Sequence, residues 1–184
     1  MLIARAAKRD SKTRFARDAR VDLIEDGEAV GAIRYAIGPE TATISLRGET
    51  YRSGRAKPRR DEVLYRAAIR LARGGQPPPP NPILLTDAAG RVLGEALETG
   101  KQTLIRMGDE KFEFRRRSLF SRRFDLARES DPAPLGSAGR KSLFSTELTC
   151  DLPPEVPTLL RAFLFALLFD MTFVALDRSS QSSG

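Results

Sequence analysis

The chain has 184 residues, 41% hydrophobic and 30% charged, with 31 lysines and arginines against 24 acids and a formal net charge of +7. That length and apolar content suit one ordinary domain that can close a core without a disulfide or structural metal, and they exclude a wholly disordered chain. With no histidine and a single cysteine, Cys150, the sequence excludes Ser-His-Asp and Cys-His catalysis, histidine-containing metal sites and multi-cysteine zinc or iron–sulfur centres.

Residues 1–19 are basic and rich in small residues, with Lys8, Arg9, Lys12, Arg14 and Arg17, and read as a flexible arm. They lack the uninterrupted apolar run of a signal peptide. From Arg20 the pattern changes. Val21–Ile24, the turn Glu25-Asp26-Gly27-Glu28 and Val30–Ile37 read as strand, tight turn and strand, since Asp-Gly supplies the positive φ that hairpin turns need. Gly38-Pro39 ends the second strand, and Thr43–Leu46, Arg47-Gly48-Glu49 and Thr50–Arg52 form a second hairpin.

Residues 59–73 switch to helical spacing. Asp61 can cap an amphipathic surface helix with Val63, Leu64, Ala67, Ala68 and Leu71 on one side. Gly74-Gly75 stops it, and Pro77–Pro80 with Asn81-Pro82 makes a stiff spacer, or a proline-rich ligand for an SH3-like partner. The first pattern then returns. Ile83–Asp87, a turn at Ala88–Arg91 and Val92–Leu97 match the first hairpin, with Asp87 answering Asp26 and Val92 answering Val30. Leu104–Asp109 matches Ile44–Glu49. This weak internal repeat, about 20–53 and 83–115, favours one closed sheet over two domains, since neither half carries a full core.

Phe112, Phe114, Phe120, Phe124 and Leu126 recur at even spacings with charged residues between them, as on strands with one buried face. Glu129–Arg140, with Pro132, Pro134, Gly136 and Gly139, reads as a polar loop. A last strand carries Phe144, Thr146, Leu148 and Cys150 on one side, which makes Cys150 a buried apolar residue rather than a nucleophile. After the helix-start signal 151–157, residues Val156 to Leu176 are apolar on every side except for Thr158, Arg161, Asp170 and Thr172. Such a helix must be enclosed by protein or lipid. Its length suffices to cross a bilayer, but Arg161 and Asp170 would each cost about 2.5 to 3.5 kcal/mol there, so a protein core is favoured over a tail anchor. Residues 179–184 read as a disordered tail, leaving 20–178 as the domain.

The repeated hairpins, Phe-Glu-Phe-Arg (112–115), Phe-Ser-Arg-Arg-Phe (120–124) and the apolar helix after Leu-Pro-Pro (152–154) together resemble the tubby C-terminal-like superfamily. That group includes LURP-one-related proteins and phospholipid scramblases. The resemblance spans roughly residues 20–177. It implies a β-rich, α+β fold: a closed antiparallel β-barrel around the hydrophobic C-terminal α-helix, here with one additional amphipathic surface helix. Tubby-like domains bind membrane phosphoinositides, but no family ligand motif aligns onto these residues, and the cysteine-rich acylation segment of scramblases is missing.

Two basic clusters are the candidate sites for an anionic ligand. Arg115, Arg116, Arg117, Arg122 and Arg123 flank Ser118–Ser121, and Lys57, Arg59 and Arg60 form the second. Arginine's planar fork suits phosphate. A solvated charged face is the competing reading of both. Ser118 and Ser142 follow basic residues, as phosphorylation sites or as ordinary turn serines. The expected function is a non-catalytic binding or scaffold module for anionic phospholipid headgroups or membrane surfaces, without cofactor, in the cytoplasm or peripheral at the membrane. A nucleic-acid-binding protein is the first alternative, although no recognised nucleic-acid signature is present. A C-terminally membrane-anchored protein is the second. Enzymatic use of Asp26, Asp87, Asp109 and Asp125 ranks last, because all but Asp125 sit at turns, where carboxylates serve the backbone.

Overall fold

The computed structural model describes residues 1–6, 18–36, 41–56, 81–99, 102–118, 121, 123–141 and 147–181. Twelve strands precede a single described helix: β1 (Leu2–Ala6), β2 (Asp18–Glu25), β3 (Glu28–Ala36), β4 (Thr41–Leu46), β5 (Glu49–Arg55), β6 (Ile83–Thr86), β7 (Val92–Glu98), β8 (Gln102–Met107), β9 (Glu110–Arg116), β10 (Arg123–Arg128), β11 (Asp131–Arg140) and β12 (Leu148–Asp151), followed by the C-terminal helix Thr158–Gln181. Sequential neighbours pair antiparallel, and β1 pairs with β12 to close the barrel.

Alternation along the strands decides what faces inward. On β4 the buried residues are Ala42, Ile44 and Leu46, and on β9 they are Phe112 and Phe114, each separated by one outward residue as the pleat requires. The helix fills the space these residues face. Leu160 through Leu168 are consecutively buried, none more than 5% exposed, which a helix lying on a surface could not achieve. It touches β11, β12, β1, β3 and β4. Among the described residues no helix is long and apolar enough to cross a membrane.

The two buried charges of the helix, one in its first turn and one midway along it, are each held by partners on the barrel or the preceding segment. Arg161 donates from Nη1 to Glu25 Oε1 (2.9 Å), from Nε to the Val156 carbonyl (2.9 Å) and from Nη2 to the carbonyls of Pro153 (3.1 Å) and Pro154 (3.0 Å). This ties the segment before the helix to the rim of β2. Further along, Asp170 accepts from the Tyr35 hydroxyl at 3.0 Å and from Arg55 Nη2 at 2.6 Å, and Arg55 also reaches Glu98 at 3.0 Å. A buried charge is tolerable only when paired and hydrogen-bonded in this way.

The repeat read from sequence has a third copy. In β3, β7 and β11 the pairing slips by at least one residue just before a glycine, so that Val30, Leu93 and Leu135 are left without a ladder partner ahead of Gly31, Gly94 and Gly136. All three apolar residues pack against the core. The glycines are needed for contact with the following strand. An added Cβ would lie 2.0 Å from the Ser45 carbonyl oxygen at Gly31, 2.1 Å from that of Asp151 at Gly136 and 3.1 Å from that of Arg106 at Gly94. The barrel is therefore three four-strand units, β2–β5, β6–β9 and β10–β12 completed by β1.

Several expectations change. The arm expected over residues 1–19 contributes β1 at Leu2–Ala6, with Leu2 and Ala4 wholly buried, because the third unit needs a fourth strand. The polar loop expected over Glu129–Arg140 is β11. Pro132 and Pro134 are accommodated because β12 pairs only with Ser137–Arg140, so the first half of β11 has a free edge where a missing N–H costs nothing. Val92 pairs with Thr86 and is exposed, so Leu93, not Val92, is the counterpart of Val30; the hairpin pairs Leu46–Glu49 and Met107–Glu110 likewise set Ile105, not Leu104, against Ile44. The helix backbone continues to Gln181, past the expected boundary at residue 178. The amphipathic helix expected over residues 59–73 lies outside the described residues.

Candidate functional site

With the barrel interior occupied by the helix, ligand contacts fall to the outer wall and the rims. Two arginine-bearing faces stand there. The first lies where β9 and β10 meet. Register places Arg115 beside Asp125 and Arg116 beside Phe124. Arg116 lies over the Phe124 ring, 5.4 Å from its centroid, and that ring stacks on Phe114 at 5.0 Å. Arg117 makes a forked contact to Asp125, with Nη2 to Oδ1 at 2.8 Å and Nε to both oxygens. Asp125 thereby raises the Arg117 pKa further, mainly through the side-chain hydrogen bond. Arg123 donates from Nε and Nη2 to the Ser137 hydroxyl at 3.1 and 2.7 Å.

Three residues of the expected cluster, Arg115, Arg117 and Arg123, thus share the outward alternation with Asp125, whereas Arg116 falls on the alternation of Phe112 and Phe114 and covers Phe124. Arg115, Arg116, Arg117 and Ser118 are exposed. Arg122, Ser142 and the second cluster of Lys57, Arg59 and Arg60 lie outside the described residues.

The second face was not singled out from sequence. A groove of about 740 Å³ runs over the outer face of β2–β4, floored by Gly31, Ala32, Thr43 and Ser45 and walled by Arg20 and Arg34. A depression of about 520 Å³, lined by Arg52 and Thr86, adjoins it and shares Thr43. Register sets Arg20, Arg34, Thr43, Arg52 and Thr86 in one row across five adjacent strands. The sequence signal was the parity of arginine within each strand: Arg20, Arg34 and Arg52 all fall on the outward alternation, but which of them share a row depends on register.

The remaining candidates do not assemble. Asp26, Asp87 and Asp109 lie in or beside three separate turns and Asp125 on β10. Among the described residues no three histidine, cysteine or acidic side chains gather in a metal-binding group. Cys150 is wholly buried, and its thiol pKa is pushed up to about 12, chiefly by desolvation. Such a thiol is inert as a nucleophile. No family model, curated protein or solved structure matches the chain.

Proposed function

We propose that the chain is a non-catalytic binding module that engages the phosphate-bearing headgroups of anionic lipids through the exposed arginines at the β9–β10 junction. The observation that carries this reading is the grouping of Arg115, Arg117 and Arg123 beside the single carboxylate of Asp125, with Arg116 exposed next to them over Phe124, which leaves an excess of positive charge at one edge of the barrel. Arginine forks donate paired hydrogen bonds to phosphate oxygens, and each basic side chain near a charged bilayer contributes about 1 kcal/mol, weakened by salt. Nucleic acid is the weaker partner, because Phe124, the aromatic ring in this cluster, is stacked against Phe114 and covered by Arg116 rather than offered to a base.

Membership of the tubby C-terminal-like superfamily belongs to the same proposal. A closed antiparallel barrel around a C-terminal helix is the architecture that resemblance implies, and fold alone does not carry function. The proposal also keeps an amphipathic helix over residues 59–73, read from its apolar spacing.

The test is binding of the full chain to vesicles with and without anionic lipid, against short oligonucleotides, at low and moderate salt. Replacing Arg115, Arg116 and Arg117 with serine, which leaves the Arg123–Ser137 contact in place, is expected to abolish vesicle binding with unchanged circular dichroism. Unchanged binding by that variant, or tighter capture of oligonucleotides than of vesicles, overturns the reading.

A further inference from the structure

We propose that the outer groove of the first unit, centred on Arg34, Thr43 and Arg52, is a second anion site that binds the phosphate group of a ligand independently of the β9–β10 edge. Three observations converge on it. Most arginines on the barrel wall are already committed: Arg20 to Asp22, Arg47 to Glu25, Arg91 to Asp87, Arg106 to Glu95 and Arg128 to Glu110. Arg34 and Arg52 are exposed and have no carboxylate partner among the described residues. They stand one on each side of Thr43 in the ladder, about 10 Å apart at the backbone, two strand spacings. Their guanidinium forks can therefore close on one group seated over the threonine hydroxyl. A phosphate, with several acceptor oxygens and more than one negative charge, satisfies two forks and a hydroxyl better than a lone carboxylate does.

The second unit supplies an internal control. Aligning the units on Gly31 and Gly94, and on the hairpin pairs Leu46–Gly31 and Met107–Gly94, sets Arg34 against Leu97, Thr43 against Leu104 and Arg52 against Glu113. Leu97 pairs with Leu104, and Leu104 with Glu113, in the same ladder positions. The backbone thus forms equally well with apolar and acidic residues there, so the fold does not require the arginines. The groove itself depends on Gly31, which has no side chain and lets β3 approach the Ser45 carbonyl. A bulge at its rim is a common device for shaping a site.

Position separates this site from the first. In the closed order of twelve strands, the groove centres between β3 and β4 and the arginine edge between β9 and β10, half a turn of the barrel away. A bilayer lying flat along one of these walls does not touch the other. The groove can therefore receive either a soluble phosphorylated molecule or a headgroup of a second bilayer, and in the latter case the chain would bridge two membranes.

The experiment uses the full chain, an R34S/R52S variant and an R115S/R116S/R117S variant, with inorganic pyrophosphate as probe, followed by amide chemical shifts at low salt. The wild type is expected to show shifts around Thr43 and Ser45. Affinity should fall about tenfold per arginine removed, and so about a hundredfold in R34S/R52S, while R115S/R116S/R117S keeps its groove shifts. Unaltered affinity in R34S/R52S, or shifts confined to β9–β10, overturns the proposal. A second arm identifies the source of the phosphate. Vesicles containing phosphatidylserine and a phosphoinositide that are clustered by wild type but only bound, and left dispersed, by R34S/R52S assign the groove to a second bilayer. Dispersed vesicles alongside retained pyrophosphate binding assign it to a soluble ligand. Failure of R115S/R116S/R117S to lose vesicle binding counts against the β9–β10 membrane face alone.

Discussion

The first and second four-strand units have nearly the same inner face and quite different outer ones. Leu23 and Leu85, Ile44 and Ile105, and Tyr51 and Phe112 occupy matching inward positions, and the turn glycines Gly27, Gly90, Gly48 and Gly108 all have positive φ. Outside, Arg34 and Arg52 of one unit face solvent where the other has Leu97 and Glu113. The helix explains the asymmetry. A single apolar cylinder must be packed from every side, so the inward residues of each unit answer to the same partner, whereas the wall facing solvent is free to diverge. Chemistry specific to one unit is therefore where function is to be sought.

The largest expected effect comes from breaking what the units share. Phe165 is fully buried in the helix, and Phe165→Asp places a charge in the barrel centre with no partner, for a loss of more than about 4 kcal/mol. The variant should be unfolded by circular dichroism. A cooperatively folded Phe165→Asp protein would show that the helix is not the common core.

Next come the three bulge glycines, which test whether the units are equivalent. Gly31→Ala and Gly136→Ala drive a Cβ into a backbone carbonyl, and each should cost about 3 kcal/mol or more, while Gly94→Ala, with 3.1 Å available, should cost about 1 kcal/mol or less. Urea unfolding of the three variants measures the order directly. Equal losses would mean that the second unit closes on its neighbour as tightly as the others.

The ion pairs sharpen the contrast between inner and outer faces. Glu25→Ala leaves the buried Arg161 without its carboxylate and should cost about 3 to 5 kcal/mol. Asp125→Ala removes the forked partner of exposed Arg117, at under about 1 kcal/mol. Comparable losses in the two variants would erase the distinction between a charge that holds the helix and one that decorates the wall.

Much of the fold was legible because barrel strands have a period of two and the helix is apolar all round. Asp26-Gly27, Arg47-Gly48 and Gly108-Asp109 marked their hairpins through the φ they require. Two features misled. Pro132 and Pro134 argue for a loop unless one knows that β12 is too short to reach them, and the basic composition of residues 1–19 hid a five-residue strand, one of whose two partners, β12, lies near the opposite end of the chain. The third copy had a signal, Val30-Gly31, Leu93-Gly94 and Leu135-Gly136, but dipeptides at unequal spacing become a pattern only once the ladder slips are seen. At the site, local sequence found Arg115–Arg117 because they are contiguous. Arg20, Arg34 and Arg52 are assembled by cross-strand register and were invisible for that reason.

The smallest effect concerns the turn acids of the two units, Asp26 and Asp87. Both carboxyls are held below their ordinary pKa of 3.8, for different reasons. Asp26 accepts a hydrogen bond from the Met1 amino group at 2.8 Å. Asp87 is bound by its own turn: Oδ1 accepts from the amides of Ala89 (3.0 Å) and Arg91 (2.9 Å), and Oδ2 from Arg91 Nε at 2.7 Å. A carboxyl whose folded pKa is lowered binds more protons unfolded than folded across the window between the two values. Its stabilisation is present in full above the unfolded pKa and is lost as pH falls through the folded one. Asp26→Asn and Asp87→Asn should therefore each lower Tm slightly at neutral pH, and each difference from wild type should vanish on acidification below the carboxylate range. Salt separates them. The Asp26 contribution is an exposed ion pair and should fade at high ionic strength, while two of the three Asp87 contacts are backbone hydrogen bonds and should persist. Thermal melts of the two variants across pH and salt read both dependences. A difference that survives acidification, or an Asp87 effect as salt-sensitive as that of Asp26, would show that the two turns are held by the same long-range charge rather than one by a terminus and the other by its own amides.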